Sequence, residues 1–135
     1  MEIECTATRI CLLRSLTWAG GSTEQLRTRV RIRDKIETQA GDDLAEAGFD
    51  LGRQDRIPVS PLPGTFVIDL TSAELQELTN ALSRRQWADN LPRSLVEEII
   101  ALPDWLRRQI EEAKDYESVQ RLSPEKRRKL MEEDA

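Results

Sequence analysis

The chain contains no histidine. That removes the commonest general base at neutral pH, the usual member of a nucleophilic triad and most zinc sites. Cysteine is nearly as scarce: Cys5 and Cys11 are the two present, too few for a structural zinc site. On one continuous strand they would lie about 20 Å apart, at about 3.3 Å per residue, beyond the reach of a disulfide. They are expected as free, buried thiols, and neither has a recognisable base to activate it. Phe, Trp and Tyr together make up 4% of the chain, which leaves few platforms for stacking bases. No apolar run reaches the roughly 18 residues of a membrane span. The acids Glu2 and Glu4 depart from the basic-then-apolar pattern of a secretory leader, so the expected location is cytoplasmic. The glycine-rich phosphate loops G-x-x-x-x-G-K-[ST] and G-x-G-x-x-G are missing as well. Asp42, Asp43, Glu46 and Asp50 form an acidic cluster, but without the spacing of a calcium-binding loop. These absences point to a protein that is not an enzyme and that carries no cofactor and no metal.

What remains is a charged, foldable chain. At 135 residues it suits one domain, and 39% hydrophobic residues suffice for a core beneath a surface rich in charge. The net charge of −5 disfavours unspecific attraction to nucleic acid or to anionic membranes.

The most readable stretch is 65–82. Phe66-Val67-Ile68-Asp69-Leu70 has the β-branched and aromatic make-up of a strand. Thr71 and Glu74 form the capping box that starts a helix, with Leu70 and Leu75 placed to close as a hydrophobic staple. Leu75, Leu78 and Leu82 continue as one apolar stripe. At the N-terminus, Ile3, Cys5 and Ala7 alternate with Glu2, Glu4 and Thr6, again a half-buried strand. The phase then shifts near Thr8-Arg9 to Ile10, Leu12, Leu16 and Trp18, read as a second extended segment after a bulge or break.

Residues 24–36 alternate most cleanly of all. Leu26, Thr28, Val30, Ile32 and Ile36 hold even positions; Arg27, Arg29, Arg31, Arg33 and Lys35 hold odd ones. A helix is the competing reading, with Ser22 and Gln25 as a capping box and Gly41 as a stop. Its large apolar residues would spread over about 160° of the wheel, so a strand is the better fit. A further helical turn or two is expected near Gly48, within a long loop over 40–64 that carries Pro58, Pro61 and Pro63. Later, Ser94 with Glu97 starts a short helix ended by Pro103, and Asp104 caps another bearing Leu106, Ile110, Ala113 and Tyr116. Ser123-Pro124 opens a charged C-terminal helix or tail over 123–135, with Lys126, Arg127, Arg128 and Lys129 balanced by Glu132, Glu133 and Asp134.

The expected architecture is therefore α+β: an N-terminal antiparallel β-hairpin or meander packed against three to four C-terminal α-helices, in one domain over 1–122. Five cations at alternate strand positions would stand about 7 Å apart, within a Debye length, and would repel unless neutralised. Acids of the same chain such as Glu2 and Glu4, an acidic partner surface, or phosphates are the three ways to neutralise them. Arg84, Arg85 and Trp87, and Trp105 with Arg108, place an aromatic beside arginines, a combination favoured at interfaces. The reading that follows is a non-catalytic protein-binding module, such as a small adaptor, assembly factor or inhibitor, of the size of a phage-type accessory protein. Its partner would be another protein or complex, or a second copy, met through Arg27, Arg29, Arg31, Arg33 and Lys35 with the two helix-end patches. The alternative is a nucleic-acid-associated regulator contacting phosphates through Arg27, Arg29, Arg31 and Arg33.

Overall fold

The computed structural model describes residues 1–18, 20–49, 64–121 and 128–129. Strand β1 (Glu2–Cys5) turns Ile3 and Cys5 inward and Glu2 and Glu4 outward, as strand alternation demands. Thr6 then leaves the sheet with extended backbone, and its Oγ1 accepts from the Arg9 amide at 3.3 Å, capping α1 (Ala7–Leu16). Eight of the ten α1 side chains are buried and Thr8 and Arg9 are half-buried, so α1 is the central helix. This corrects the second extended segment expected over 10–18. A helix buried on nearly every side, Arg14 and Ser15 included, has no one-sided apolar stripe, and a short buried run of that kind cannot be told from a strand by periodicity.

Helix α2 (Thr23–Glu46) replaces the expected strand over 24–36. Ser22 Oγ accepts from the Gln25 amide at 3.3 Å and Gln25 Oε1 from the Ser22 amide at 2.9 Å, a complete capping box. The buried stripe is Ile32, Ile36, Ala40 and Leu44, with Arg29 one turn earlier. Leu26 and Val30 stay exposed, so the inward face is narrower than an all-apolar wheel implies. The helix runs through Gly41 and stops at Gly48, which takes φ +98°. There the Gly48 amide meets Ala45 O at 3.0 Å and the Phe49 amide meets Leu44 O at 2.8 Å, the two bonds of a left-handed glycine terminus. Residues 40–46 are therefore helical and not part of the expected loop over 40–64; Pro58, Pro61, Pro63 and Asp50 lie outside the described residues.

Strand β2 (Phe66–Asp69) pairs antiparallel with β1 in the register Glu2↔Asp69 to Cys5↔Phe66, closing a two-stranded sheet. The N-terminal ammonium adds bonds to Asp69 Oδ1 at 2.8 Å and Leu70 O at 3.2 Å. The capping box of α3 (Ser72–Arg84) forms as expected. The Glu74 amide reaches Thr71 Oγ1 at 3.1 Å, the Thr71 amide reaches Glu74 Oε1 at 2.9 Å, and Leu70 and Leu75 are both fully buried. Helix α4 (Arg93–Arg121) is one continuous element with Pro103 inside it, rather than two helices meeting at a proline. Leu102, Trp105, Leu106, Ile110 and Ala113 anchor α4 in the core, while Tyr116 is exposed. That burial on both sides of Pro103 offsets the one hydrogen bond the proline removes. Glu117 of α4 ties back to α3, accepting from the Ser72 amide at 2.8 Å and the Ser72 hydroxyl at 2.6 Å.

The whole is an α+β fold, with a two-stranded antiparallel sheet packed against helices, in agreement with the expected class. Among the described residues no helix is long and apolar enough to cross a membrane. Of the charged C-terminal segment, Arg128 and Lys129 are described; both are helical and exposed.

Candidate functional site

Winding residues 24–36 into a helix splits the cationic row. Positions four apart share a helix face, so Arg27, Arg31 and Lys35 gather on one side, and Arg29 and Arg33 turn to another. Arg29 is 1% exposed: its Nε donates to Glu77 Oε1 at 3.0 Å and its Nη1 to the Gly20 carbonyl at 2.6 Å. It is an internal brace between α2, α3 and the turn after α1, and its guanidinium is not part of the surface.

Arg31 and Lys35 share one carboxylate. Lys35 Nζ lies 2.6 Å from Glu74 Oε1 and Arg31 Nε lies 3.2 Å from Oε2. Burial alone would raise the Glu74 pKa, but hydrogen bonds from Lys35 and Thr71 outweigh it and hold the carboxyl below its ordinary 4.5. The sequence marked Glu74 as a cap; that it also receives two cations of α2 follows only from how α2 crosses α3. Arg27 makes no ion pair among the described residues. Beside these cations runs an open hollow of about 390 Å³ lined by Arg27, Val30, Arg31, Asp34, Lys35 and Gln39. Three cations, Arg27, Arg31 and Lys35, thus meet the two carboxylates of Asp34 and Glu74 on a molecule whose net charge is −5.

Arg33 lies flat against Trp18, its guanidinium 3.4 Å from the ring centroid; Arg14 stands 6.0 Å from the same ring. Arg14 is neutralised by Glu37 at 2.8 Å. Arg33 has no carboxylate partner among the described residues; its Nε donates to Thr17 Oγ1 at 3.1 Å and its Nη2 to Thr17 O at 2.9 Å. Trp18 is 49% exposed, and Leu26 and Val30 on the adjacent side of α2 are exposed too. The sequence reading placed Trp18 in a second extended segment and Leu26 and Val30 on the apolar side of a strand, so it did not bring the three together. The four-residue recurrence of Arg27, Arg31 and Lys35 was the available signal for this face.

The helix-end patches are brought to different places. Arg85 sits 5.1 Å over Trp87, which is half-buried, and Arg84 is exposed in the last turn of α3. Trp105 belongs to the core, with Arg9 stacked 4.9 Å above its ring and held by Glu98 at 2.8 Å, while Arg108 points to solvent. Neither patch joins the α2 face into one surface by any contact among the described residues.

Cys5 and Cys11 are free and buried, and burial pushes each thiol up to about 12, with Arg9 and Arg14 respectively pulling the other way. Asp42, Asp43 and Glu46 are exposed or half-exposed on the last turns of α2, and among the described residues no three acids or cysteines converge to hold a metal ion. The chain matches no protein-family model, no curated protein and no solved structure.

Proposed function

We propose that this protein is a non-catalytic, cytoplasmic binding module, an adaptor, assembly factor or inhibitor, that docks another protein against the outer side of α2. One observation carries this reading: Arg27, Arg31 and Lys35 lie at four-residue spacing beside the exposed pair Leu26 and Val30, next to an open hollow. Cations flanking uncovered apolar side chains are what a specific protein contact uses, the apolar groups for affinity and the charges for register and encounter rate. The thiols are buried in the core and stay protonated at neutral pH, and the chain has no histidine, which speaks against a cysteine nucleophile and a histidine base.

The test is capture from extracts of the native host with the Arg27→Glu, Arg31→Glu double variant beside the parent protein. Glu74 keeps Lys35 and Thr71 as donors in that variant, so the fold should stand and circular dichroism should be unchanged. Capture lost with the fold intact supports the reading; capture retained refutes it. The nucleic-acid alternative now rests on Arg27, Arg31 and the free edge of Arg33, since Arg29 is internal. Binding to DNA or RNA that weakens steeply with salt would favour it.

A further inference from the structure

A tryptophan at a helix–helix corner ordinarily folds inward, because burying its ring is strongly favourable. Trp18 is 49% exposed, and the chain on both sides of it is held by arginines of α2. On one side Arg33 grips the hydroxyl and carbonyl of Thr17; on the other Arg29, anchored to Glu77, grips the carbonyl of Gly20. The Thr17 hydroxyl also donates to Arg14 O at 2.6 Å. The turn then passes close over α2: a Cβ at Gly21 would fall 2.5 Å from Gln25 Oε1 and 3.0 Å from Arg29 Nη1. Trp18 is thus fixed in its outward position before any partner arrives.

The same clamp fixes a charge. Arg33 is stacked on the indole and spends two of its five donors on Thr17, which leaves donors free on the other edge and no carboxylate opposite them among the described residues. Val30 and Leu26 follow at three and seven residues before Arg33, the spacing that keeps side chains on one side of a helix. Trp18 with Arg33, then Val30, then Leu26 therefore form a single ridge, bordered by Arg27. An aromatic and an arginine held rigidly in one unit make an interface anchor with little ordering entropy left to lose.

We infer that the ridge Trp18–Arg33–Val30–Leu26 is the anchor of the proposed binding face, and that it takes an acidic, apolar-bearing peptide segment of a partner protein. A carboxylate of that segment meets the free edge of Arg33 while its apolar side chains cover Trp18, Val30 and Leu26. The unbalanced cations select acid: among the described residues Arg27 and Arg33 lack carboxylate partners, and Arg31 and Lys35 share one. The apolar residues select peptide over nucleic acid, since a phosphate backbone would leave them uncovered. This inference rests on the binding-module reading above.

The experiment is selection of a phage-displayed random-peptide library on the immobilised protein, followed by titration of the selected peptides as synthetic probes. The expected pool is enriched in Asp or Glu next to Leu, Ile or aromatic residues. Trp18→Ala should weaken those peptides about 30-fold, as loss of an interface anchor does, and Arg33→Lys, which keeps the charge but not the planar stack, by about 5- to 10-fold. Circular dichroism should be unchanged in both variants. A pool of basic or uncharged peptides, equal binding to Trp18→Ala, displacement by a single-stranded oligonucleotide, or an empty selection would each overturn the inference. So would a dimer of the parent protein, seen by sedimentation, that Trp18→Ala dissolves, because a second copy would then be the occupant. If the selection fails while Arg27→Glu, Arg31→Glu still abolishes host capture, the module reading stands with a different partner; if both fail, it falls as well.

Discussion

Replacing Glu77 by Gln tests whether the fold depends on the internal brace that also holds the α1–α2 turn. Arg29 is 1% exposed and Glu77 has 11% of its side chain exposed, so the pair is almost wholly desolvated. Removing one partner of a buried ion pair generally costs about 3–5 kcal/mol, because the other charge stays buried without it. Gln keeps an acceptor for the guanidinium, and the Gly20 carbonyl remains in place, so about 2–3 kcal/mol is expected for Glu77→Gln. With a urea slope of about 1.5–2 kcal/mol/M, the denaturation midpoint should fall by about 1–2 M. Arg29→Met should cost about 2 kcal/mol, the smaller figure because the orphaned Glu77 can reach water. The double variant Arg29→Met, Glu77→Leu should cost only about 1 kcal/mol, mostly the lost bond to Gly20, since apolar pairs commonly replace buried ion pairs without loss. Urea unfolding followed by circular dichroism and by tryptophan emission, with Glu77→Leu alone completing the cycle, measures the coupling. A loss below about 0.5 kcal/mol for Glu77→Gln, or additive single losses in the Met/Leu cycle, would refute the brace.

The Glu74 and Glu117 carboxyls both lie below their ordinary value. For Glu74, donors from Lys35 and Thr71 overcome its burial; for Glu117, the Ser72 hydroxyl and amide are the cause. Their stabilising contribution is therefore complete above about pH 4.5 and is lost as pH falls through the folded-state values; Glu74→Gln should flatten that acid limb in a pH series of urea midpoints. Cys5 and Cys11, raised to about 12, should be inert to a thiol reagent at pH 8 in the folded protein and react fully in denaturant; fast reaction of either thiol in the native state would contradict its burial. Gly48→Ala should destabilise by roughly 1 kcal/mol in thermal unfolding, because φ +98° is strained for any residue with a Cβ, whereas Gly41→Ala, inside α2 with open space around it, should stabilise by a few tenths.

The elements with local signatures were legible from the residues. Ile3 and Cys5 announced β1 by alternation, and Thr71 with Glu74 announced both the end of β2 and the start of α3. Gly48 was read as the end of a separate short helical turn, and Gly41 as the stop of the competing helix, which α2 runs straight through. Residues 24–36 were not legible, and the reason is physical. Inside that window the apolar residues alternate, but the stripe that α2 buries runs from Ile32 through Ile36 to Ala40 and Leu44, half of it beyond the window. Arg29 takes an inward position where periodicity counts only apolar residues, and partners that the local pattern does not show, Glu77 far along the chain and the Gly20 carbonyl, make that position tolerable. Pro103 misled for a related reason: one missing hydrogen bond ends a helix only when packing on both sides does not hold it together. Of the candidate site, the cations were visible and their grouping was not, because which of five arginines and lysines share a face depends wholly on strand or helix.

The register that joins Glu2 to Asp69 and Cys5 to Phe66 has a bearing on biosynthesis. A nascent chain exposes the first strand, the greasy α1 and the inward arginine of α2 well before it exposes their counterparts at positions 66–78. Loop-closure entropy rises only slowly with length, so the wait is a matter of translation time more than of free energy. During that interval the emerging half has an unpaired strand edge and an uncovered helix, both prone to sticking to neighbours. Release of truncated chains ending before residue 66 should therefore yield insoluble material, while chains extended through the last turns of α4 should fold in one cooperative step.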